Sequence, residues 1–435
     1  MSFRGKFFIV MVSVAISLYA VFGGILKNFS SFAQQPINDA GAQIRIFGSV
    51  LQHIQNDYVD EPNLEKVRAG ALRGLAYGLD PYSSYLTADQ VKNFQAKMAT
   101  NQVGIGAEFS QVSSYLYLIS VTKNSPAEKA GLKAGDVIEY IENKATRDIS
   151  LYDARQLLVG EPNSKINLRV LRAGAKPQTI SVTRGSYKIP ETEVKIEAGK
   201  IGVIKVFSLE AGEAKDIRNR VSELTKQGVQ KIILDLRGVA AGEMNEAVEV
   251  ANLFIKDGTL AQIFGRENKV MQTYAADPGR HLFDGKVVAL IDLGTSGAAE
   301  VVASAILDRQ RGEVVGERSF GAGTQQQLFT LRGGDGLLLT TAKWASPSGK
   351  TFLSEERASR GVKPSVEVKR PETPEPLDVE DLIDQKEKEE QQPNPQATPV
   401  PTPKVVQPKQ SLEDLQLKKA LEIMQDKAQT MKAGE

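Results

Sequence analysis

The chain has 435 residues, 41% of them hydrophobic and 25% charged, which is ordinary for a globular protein of two or three domains. Its 54 Lys and Arg residues nearly balance its 53 Asp and Glu residues, so no overall charge would draw it to nucleic acid. It has no Cys and only two His residues, which excludes a thiol nucleophile and leaves little material for a histidine triad or a zinc site. We therefore expect no nucleic-acid partner, no metal and no cofactor.

The amino-terminal segment, residues 1–33, carries an almost uninterrupted apolar run from Phe7 to Leu26, preceded by Arg4 and Lys6. A run of about 20 residues is long enough to span a bilayer as a helix, and the basic residues before it favour a cytoplasmic amino end. The alternative is a secretory signal that is cleaved near Ala33. The first interpretation predicts an inner-membrane anchor with the rest facing the periplasm or extracytoplasmic space, and the second predicts a secreted protein.

Residues 41–100 have a helical pattern. Apolar residues form a stripe at Ile44, Ile46, Phe47, Val50, Leu51 and Ile54. A second helix is predicted from Leu64 to Tyr77, ending before the turn at Pro81, because the residue before a proline is pushed out of the helical region. Lacking a polar site of its own, this segment is interpreted as a packing or self-association element.

Residues 101–186 alternate short β-type runs with turns. The predicted strands include Leu116–Val121, Val137–Ile141 and Ile166–Leu171, and a helix is predicted from Ser150 to Val159. Between the first two strands lies the phrase Ser125-Pro126-Ala127, then Ala130-Gly131-Leu132, then Gly135-Asp136. This order of elements, together with this sequence motif, resembles a PDZ domain, an α+β module.

PDZ domains bind a peptide by adding it as a strand and by holding its terminal carboxylate in a nest of backbone amides. The resemblance places this carboxylate loop at Gly104, Ile105, Gly106 and Ala107, where glycines let the backbone approach an anion. It predicts peptide or protein carboxyl termini as partners. The alternative is a structural module whose groove is blocked or unused.

From residue 187 to 370 the pattern is α/β. The predicted strands are Ile201–Ser208, Lys231–Arg237, Val287–Ile291 and Glu313–Gly316, and the predicted helices are Ala211–Gln227, Glu243–Ile255 and Ala298–Leu307. A glycine-rich hairpin is predicted to join Leu328–Leu331 to Leu337–Thr341.

Residues 371–410, rich in Pro, Glu and Gln, predict a disordered linker. Residues 411–432 predict a helix that begins at Ser411 and docks on its own protein through an apolar face.

The α/β segment contains three glycine-rich motifs. They are Gly294-Thr295-Ser296-Gly297-Ala298-Ala299-Glu300, Ser319-Phe320-Gly321-Ala322-Gly323-Thr324-Gln325-Gln326, and Leu234-Asp235-Leu236-Arg237 followed by Gly238 to Gly242. With Thr340 to Trp344 and Ser346 to Lys350, they resemble the carboxyl-terminal processing peptidases, also called tail-specific proteases. The resemblance covers roughly residues 40–370. It implies an α/β protease-like core with crotonase-like β-α units, an inserted PDZ domain and an N-terminal helical segment.

In that family the first motif carries a nucleophilic Ser and the second its Lys base. The resemblance places these two roles on Gly297 and Ala322, whose numbers differ by the same 25 positions (322 − 297) as in the family. Gly297 has no oxygen and Ala322 has no amine, and loss of the nucleophile alone costs on the order of 10⁶ in turnover in a comparable hydrolase. Gln326 matches a glutamine that supports the lysine, and without that lysine it is interpreted as a residual polar group of a loop.

The oxyanion region also departs from the family pattern. Ala241 replaces the first glycine of the family's Gly-Gly pair, whereas Gly242 and Ala298 are retained neighbours of the site. A relocated dyad is the enzymatic alternative, and its candidate groups are Ser296, Ser304 and Ser319 with Lys343 and Lys350. A shift of one residue at such a turn re-aims the side chain, whereas catalysis tolerates only about 0.5 Å of misplacement.

The sequence thus predicts an exported PDZ protein that is a catalytically inactive pseudopeptidase and binds peptides or proteins. Regulating an active relative, or presenting substrates to it, would suit such a protein. One alternative is an active serine-type endopeptidase that processes exported proteins near their carboxyl termini. Another is a structural scaffold assembled through the helices of residues 41–98.

Overall fold

The computed structural model describes residues 11–12, 39–96, 103–112, 114–354, 356, 359–370 and 414–425. The chain divides into two compact units, residues 1–71 and residues 72–435. Within the described ranges, none of the helices combines the length and the apolar content needed to cross a membrane. Most of the predicted anchor, the signal cleavage site near Ala33 and the whole predicted linker lie outside the described residues.

The first unit holds helix α1 (Ala40–Asp57) and the first half of helix α2 (Leu64–Tyr77). Helix α2 has the predicted bounds. The predicted apolar stripe lies on α1, which has no buried residue, and Ile44 and Val50 are 69% and 50% exposed.

The second unit begins with strand β1 (Ser84–Leu86) and helix α3 (Ala88–Ala96). Strand β1 was not predicted; it follows the predicted turn at Pro81 and pairs antiparallel with β16 (Gly336–Ala345). Asp80 explains the change of direction, because it accepts hydrogen bonds from two following backbone amides and from the hydroxyl of Thr340 on β16. A tertiary contact overrides the local helical pattern here.

An antiparallel sheet in the order β2-β3-β4-β6-β7, with β5 paired to β4, forms the next module. Its elements are β2 (Ala107–Val112), β3 (Tyr115–Val121), α4 (Pro126–Lys129), β4 (Val137–Ile141), β5 (Lys144–Ala145), α5 (Leu151–Leu158), β6 (Lys165–Arg172) and β7 (Ala175–Thr183). Helix α5 begins after Ser150, whose side chain accepts a hydrogen bond from the amide of Asp153. This is the N-cap arrangement that serine favours.

The core of the second unit is a six-stranded sheet in the order β17-β14-β13-β10-β9-β8, parallel from β17 to β9. Its strands are β8 (Glu193–Glu197), β9 (Ile201–Lys205), β10 (Lys231–Asp235), β13 (Lys286–Ile291), β14 (Gly312–Gly316) and β17 (Val366–Glu367). Helices α6 (Glu213–Lys226), α7 (Met244–Phe254) and α8 (Ala298–Asp308) contribute to the large apolar core on one face of this sheet. The predicted helices are each confirmed to within two residues at either end.

A second antiparallel sheet contains β1, β16, β11 (Thr259–Phe264), β12 (Val270–Ala275) and β15 (Thr324–Thr330). Strands β15 and β16 form the predicted glycine-rich hairpin and extend beyond its predicted bounds. Strand β9 is shorter than predicted and ends at Lys205. The apolar run continues to Phe207, but the partner strand β10 ends opposite Lys205, at Asp235.

The opposite face of the parallel sheet is covered by helix α9 (Leu415–Gln425). The prediction that this helix docks on its own protein is confirmed, because Ala420 and Met424 are buried against β9, β10, β13 and β14. The predicted helix start at Ser411 lies outside the described residues. Asp414 is the cap, and its carboxylate accepts a hydrogen bond from the amide of Leu417 at 3.0 Å.

Candidate functional site

The turn between β13 and α8 holds Gly297 in a conformation that side-chain-bearing residues rarely adopt. Its φ is +56° and its ψ is −110°. Strained turns of this kind cluster at active sites, and a strand-to-helix turn presents a residue outward at the end of a sheet. A Cβ added at Gly297 would meet only the ring of Trp344, at 3.9 Å, which is ordinary contact. The turn has space for a side chain, but the residue there offers none.

Glu300, in the first turn of α8, fastens this turn to the loop of the second motif. Its side chain is fully buried. One carboxylate oxygen accepts hydrogen bonds from the amides of Gly297 (2.8 Å) and Ala322 (2.9 Å). The other accepts from the amide of Gly321 (2.7 Å) and from the hydroxyl of Ser319 (2.5 Å). The structure thus brings positions 297 and 322 together, because their amides share one oxygen atom.

Burial raises the pKa of Glu300 to about 7, although the hydrogen bonds from Ser319 and the three backbone amides favour its ionised form. This role of Glu300 was not predicted from the sequence, where the residue serves only to align the motif. A signal was present, because a carboxylate three residues after the turn has the spacing of a capping box. It is also the only charged residue from Ala298 to Leu307.

Ala322 lies in an apolar cluster formed with Ile119 of β3 and with Phe320. The ring of Phe320 stacks on that of Tyr117, with centroids 5.6 Å apart. The β3 strand of the antiparallel module therefore packs directly over the loop of the second motif. Ala322 is 9% exposed and carries no ionisable group.

The strip from Gly238 to Gly242 runs beside the Gly297 turn. The amide of Ser296 donates a hydrogen bond to the carbonyl of Val239 at 2.9 Å. A Cβ added at Gly242 would lie 2.7 Å from the Cβ of Ala298 and 2.7 Å from that of Leu209, so this position requires glycine. Ala241, the residue before it, is held by its carbonyl, which accepts from the amide of Leu209 at 2.9 Å. The structure therefore brings Ala241, Gly242 and Ala298 to the same turn.

Among the described residues, the side chain of Gln326 makes no hydrogen bond to the Gly297 turn or to Ala322. It lies on β15 and is exposed, and its side-chain amide donates to the hydroxyl of Thr324 at 2.7 Å. Its interpretation as a polar group of a loop is wrong in position, because β15 extends four residues further towards the amino terminus than predicted.

Two of the three alternative hydroxyls, those of Ser304 and Ser319, have structural partners. Ser304 donates to a carbonyl within α8, and Ser319 donates to Glu300 while accepting from the amide of Val362. Ser296 is 3% exposed and lies directly beside Gly297. Its side chain is the closest hydroxyl to the turn in sequence.

The alternative lysines lie at exposed positions. Lys343 precedes Trp344 on β16, and successive side chains of a strand point to opposite faces. Because the ring of Trp344 faces Gly297, Lys343 points away from the turn. Trp344 itself was missed as a site neighbour, and its indole nitrogen is buried with no hydrogen-bond partner among the described residues.

The predicted carboxylate loop is hydrogen-bonded through its carbonyls to three other segments of the antiparallel module. The carbonyls of Gly104, Ile105 and Gly106 accept hydrogen bonds at 3.2, 2.8 and 2.9 Å from the backbone amides of Gly185, Ala127 and Thr122. Gly106 has a φ of +76°, and a Cβ there would lie 2.3 Å from the Cβ of Ser125. The loop therefore requires glycine at this position, and Ala107, next in the chain, begins strand β2.

Strand β2 is the edge of its sheet, which leaves one side of it open to pairing. Arg155 of α5 occupies part of that side, because its guanidinium donates to the carbonyl of Phe109 at 2.9 Å and lies 3.5 Å from Glu108. Burial raises the pKa of Glu108, and Arg155 opposes that rise. Arg155 was not predicted as a site neighbour, since an exposed arginine on a short helix has no distinguishing pattern in the sequence.

Comparison with known proteins agrees with this geometry. Residues 200–368 match peptidase family S41, and residues 118–172 match the PDZ domain. The chain is 29% identical over 368 residues to the carboxy-terminal processing protease CtpA of Bacillus subtilis, covering 84% of this chain and 77% of that protein. It is 30% identical over 347 residues to a probable CtpA-like serine protease of Staphylococcus aureus (strain bovine RF122 / ET3-1), covering 78% of this chain and 68% of the relative.

Among solved structures, the photosystem II D1 C-terminal processing protease superimposes with a TM-score of 0.64 at 26% identity. The superposition covers 74% of this chain and 86% of that protein. The fold is thus similar to that of a processing protease over most of the described chain. The chain belongs to the carboxyl-terminal processing peptidases of family S41, and it carries the PDZ domain of that family.

Proposed function

We propose that this chain is a catalytically inactive member of its family that binds peptide or protein carboxyl termini through its PDZ domain. One observation carries the proposal. Glu300 holds positions 297 and 322 together with short hydrogen bonds, but the residues at those positions are Gly and Ala. A serine peptidase needs an oxygen nucleophile and a base there, and neither residue has one.

The nearby hydroxyls support the same conclusion. Ser304 and Ser319 are engaged in hydrogen bonds that hold the helix and the loop, and Lys343 points away from the turn. Family membership favours the competing function, a serine-type endopeptidase that processes proteins near their carboxyl termini. For this chain, such an enzyme would need Ser296 as a relocated nucleophile.

The direct experiment incubates the purified full-length chain with an unstructured protein and, separately, with a serine-directed covalent probe. We expect no cleavage and no labelling. Turnover that is abolished by Ser296→Ala and unchanged by Gly297→Ala would overturn the proposal and establish a relocated nucleophile.

The proposed setting is extracytoplasmic, with residues 7–26 as a membrane anchor. The apolar run and the basic residues before it support this placement. An active relative, or a second copy bound through α1, is the proposed class of protein partner. The exposed apolar side chains of Ile44, Phe47 and Val50 support self-association. Crosslinking of the full chain in membranes, with Phe47→Asp as the disrupting variant, tests the binding of a second copy through α1.

A further inference from the structure

A charged cleft of about 430 Å³ separates the PDZ domain from the carboxyl edge of the parallel sheet. Lys133 lies on the PDZ side, and Lys205, Asp235, Arg237, Asp292 and Arg370 lie on the other. The volume falls within the range of about 300–1,000 Å³ typical of small-molecule sites. Open α/β sheets bind their ligands outside the carboxyl ends of the strands, and Lys205 and Asp235 are the last residues of β9 and β10.

The carboxylates of the cleft are already satisfied. Asp235 accepts hydrogen bonds from Lys205 at 3.2 Å and from the guanidinium of Arg237 at 2.9 and 2.7 Å. Asp292 accepts from the amides of Gly238 and Gly294 at 2.9 Å and pairs with Arg370 at 3.1 Å. A cation entering the cleft would therefore find its acceptors taken.

Some of the cations retain donors. The ammonium of Lys205 has three N–H donors. One donates a hydrogen bond to Asp235 and one to the carbonyl of Arg237, so the third remains available. Arg370 uses its Nε for Glu317 and its Nη1 for Asp292. The side chain of Lys133 makes no hydrogen bond or ion pair within the described part of the chain, and it is exposed.

Arg237 differs from these three, because its donors are taken on both sides. It pairs with Asp235 and also with Asp414, whose carboxylate accepts from both of its terminal nitrogens at 2.8 and 2.9 Å. The hydrogen-bond donors that remain available in the cleft thus belong to Lys133, Lys205 and Arg370. These side chains come from both walls.

We propose that this cleft binds a small anion bearing a carboxylate or phosphate group, held between Lys133 and the pair Lys205 and Arg370. Such a ligand would bridge the PDZ domain and the core. The two walls already meet at one end of the cleft, where a Cβ added at Gly294 would lie 3.2 Å from the carbonyl oxygen of Ile119. The site is separate from the carboxylate loop at Gly104 to Ala107 and does not depend on the proposed function.

The test titrates the full-length chain with inorganic phosphate, and separately with an N-acetylated dipeptide and its carboxyl-terminal amide. Isothermal calorimetry at constant ionic strength, with chloride as the reference anion, measures the affinity. We expect phosphate or the free-acid dipeptide to bind with a dissociation constant on the order of 1 mM, and Lys133→Gln to weaken that binding about tenfold. Lys133 is exposed, so this variant should fold normally.

The matched control is Lys129→Gln, which removes the same charge from an exposed position of the PDZ domain outside the cleft. It should leave the affinity unchanged. Phosphate binding that responds to Lys133→Gln, while the dipeptide does not, assigns the cleft to phosphate and the dipeptide to the carboxylate loop. Equal affinity of the wild type and Lys133→Gln for every probe, equal effects of both lysine variants, or no binding beyond that of chloride overturns the proposal.

Discussion

The protease-like core and the PDZ domain differ in which atoms their chemistry requires. In the core, peptide cleavage depends on two side chains, and Gly297 and Ala322 supply neither. In the PDZ domain, carboxylate capture depends on backbone amides, which the loop from Gly104 to Ala107 has whatever its side chains are. From this difference we expect a binding site built from backbone amides to tolerate substitutions that would abolish one built from side chains. In the core, Glu300 builds a hydrogen-bonded framework around two positions, Gly297 and Ala322, that carry neither a hydroxyl nor an amine.

The largest expected effect is on proteolysis. The double variant Gly297→Ser with Ala322→Lys restores nucleophile and base on a turn that has space for a side chain, with only the Trp344 ring at 3.9 Å. The positive φ at position 297 costs a non-glycine residue about 1–3 kcal/mol. We expect weak but measurable cleavage of an unfolded protein, which a gel or a fluorescence assay would measure.

Each single variant is the control and should remain inert, since one group without the other cannot act. Adding Ala241→Gly should increase the rate, because a misplaced oxyanion donor costs roughly 10²–10³ in turnover. A folded triple variant without activity would show that the core has changed beyond these three positions.

The next effect concerns the framework itself. Glu300→Ala leaves three buried backbone amides and the Ser319 hydroxyl without their shared acceptor. We expect the free energy of unfolding to fall by about 3–5 kcal/mol, measured by urea denaturation. Glu223→Ala, on the exposed face of α6, is the matched control and should change it by less than about 0.5 kcal/mol. Similar small losses for both variants would contradict the role assigned to Glu300.

The pH dependence of stability sharpens this role. The pKa of Glu300 is raised by burial to about 7, above the ordinary value of 4.5, so the folded state binds this proton more tightly than the unfolded state. The resulting stabilisation is fully present below pH 4.5 and is lost as the pH rises through about 7. It amounts to about 3 kcal/mol over that interval. The free energy of unfolding of the wild type should therefore fall by about 3 kcal/mol relative to that of Glu300→Gln as the pH rises from 4.5 through 7, and a difference between the two proteins that does not change with pH would refute it.

The smallest effect tests the PDZ side of the comparison. A peptide with a free carboxylate should bind about 10- to 100-fold more tightly than its amide, by fluorescence anisotropy. Gly106→Ala should abolish the difference, because its φ is +76° and its Cβ would lie 2.3 Å from that of Ser125. Gly174→Ala is matched in backbone strain, with a φ of +70° and open space around it, and should retain the preference. Equal binding of acid and amide would remove the loop from the functional account.

Local patterns were enough to place most elements of the parallel core. Its strands are continuous apolar runs because they are buried on both faces, so their positions are visible without knowledge of the fold. Strands β8 and β12 were not predicted, and β12 has no buried residue. Such strands are defined by their hydrogen-bonded neighbours and leave little apolar signal. Strand β1 was not predicted for a related reason: it forms by pairing with β16, which lies far away in the sequence, and Asp80 accepts a hydrogen bond from Thr340 of that strand.

The sequence by itself determined which functional groups are absent, since no fold can supply an oxygen at Gly297 or an amine at Ala322. It also placed glycine at position 106 of the predicted carboxylate loop, and the structure supplied the reason, a φ of +76° and a close approach to Ser125. The tertiary structure decided what holds those positions together. Glu300, Trp344, Arg155 and the cleft at Lys133 act through contacts between segments far apart in the chain. Such contacts follow from packing, which the periodicity of a single segment does not encode.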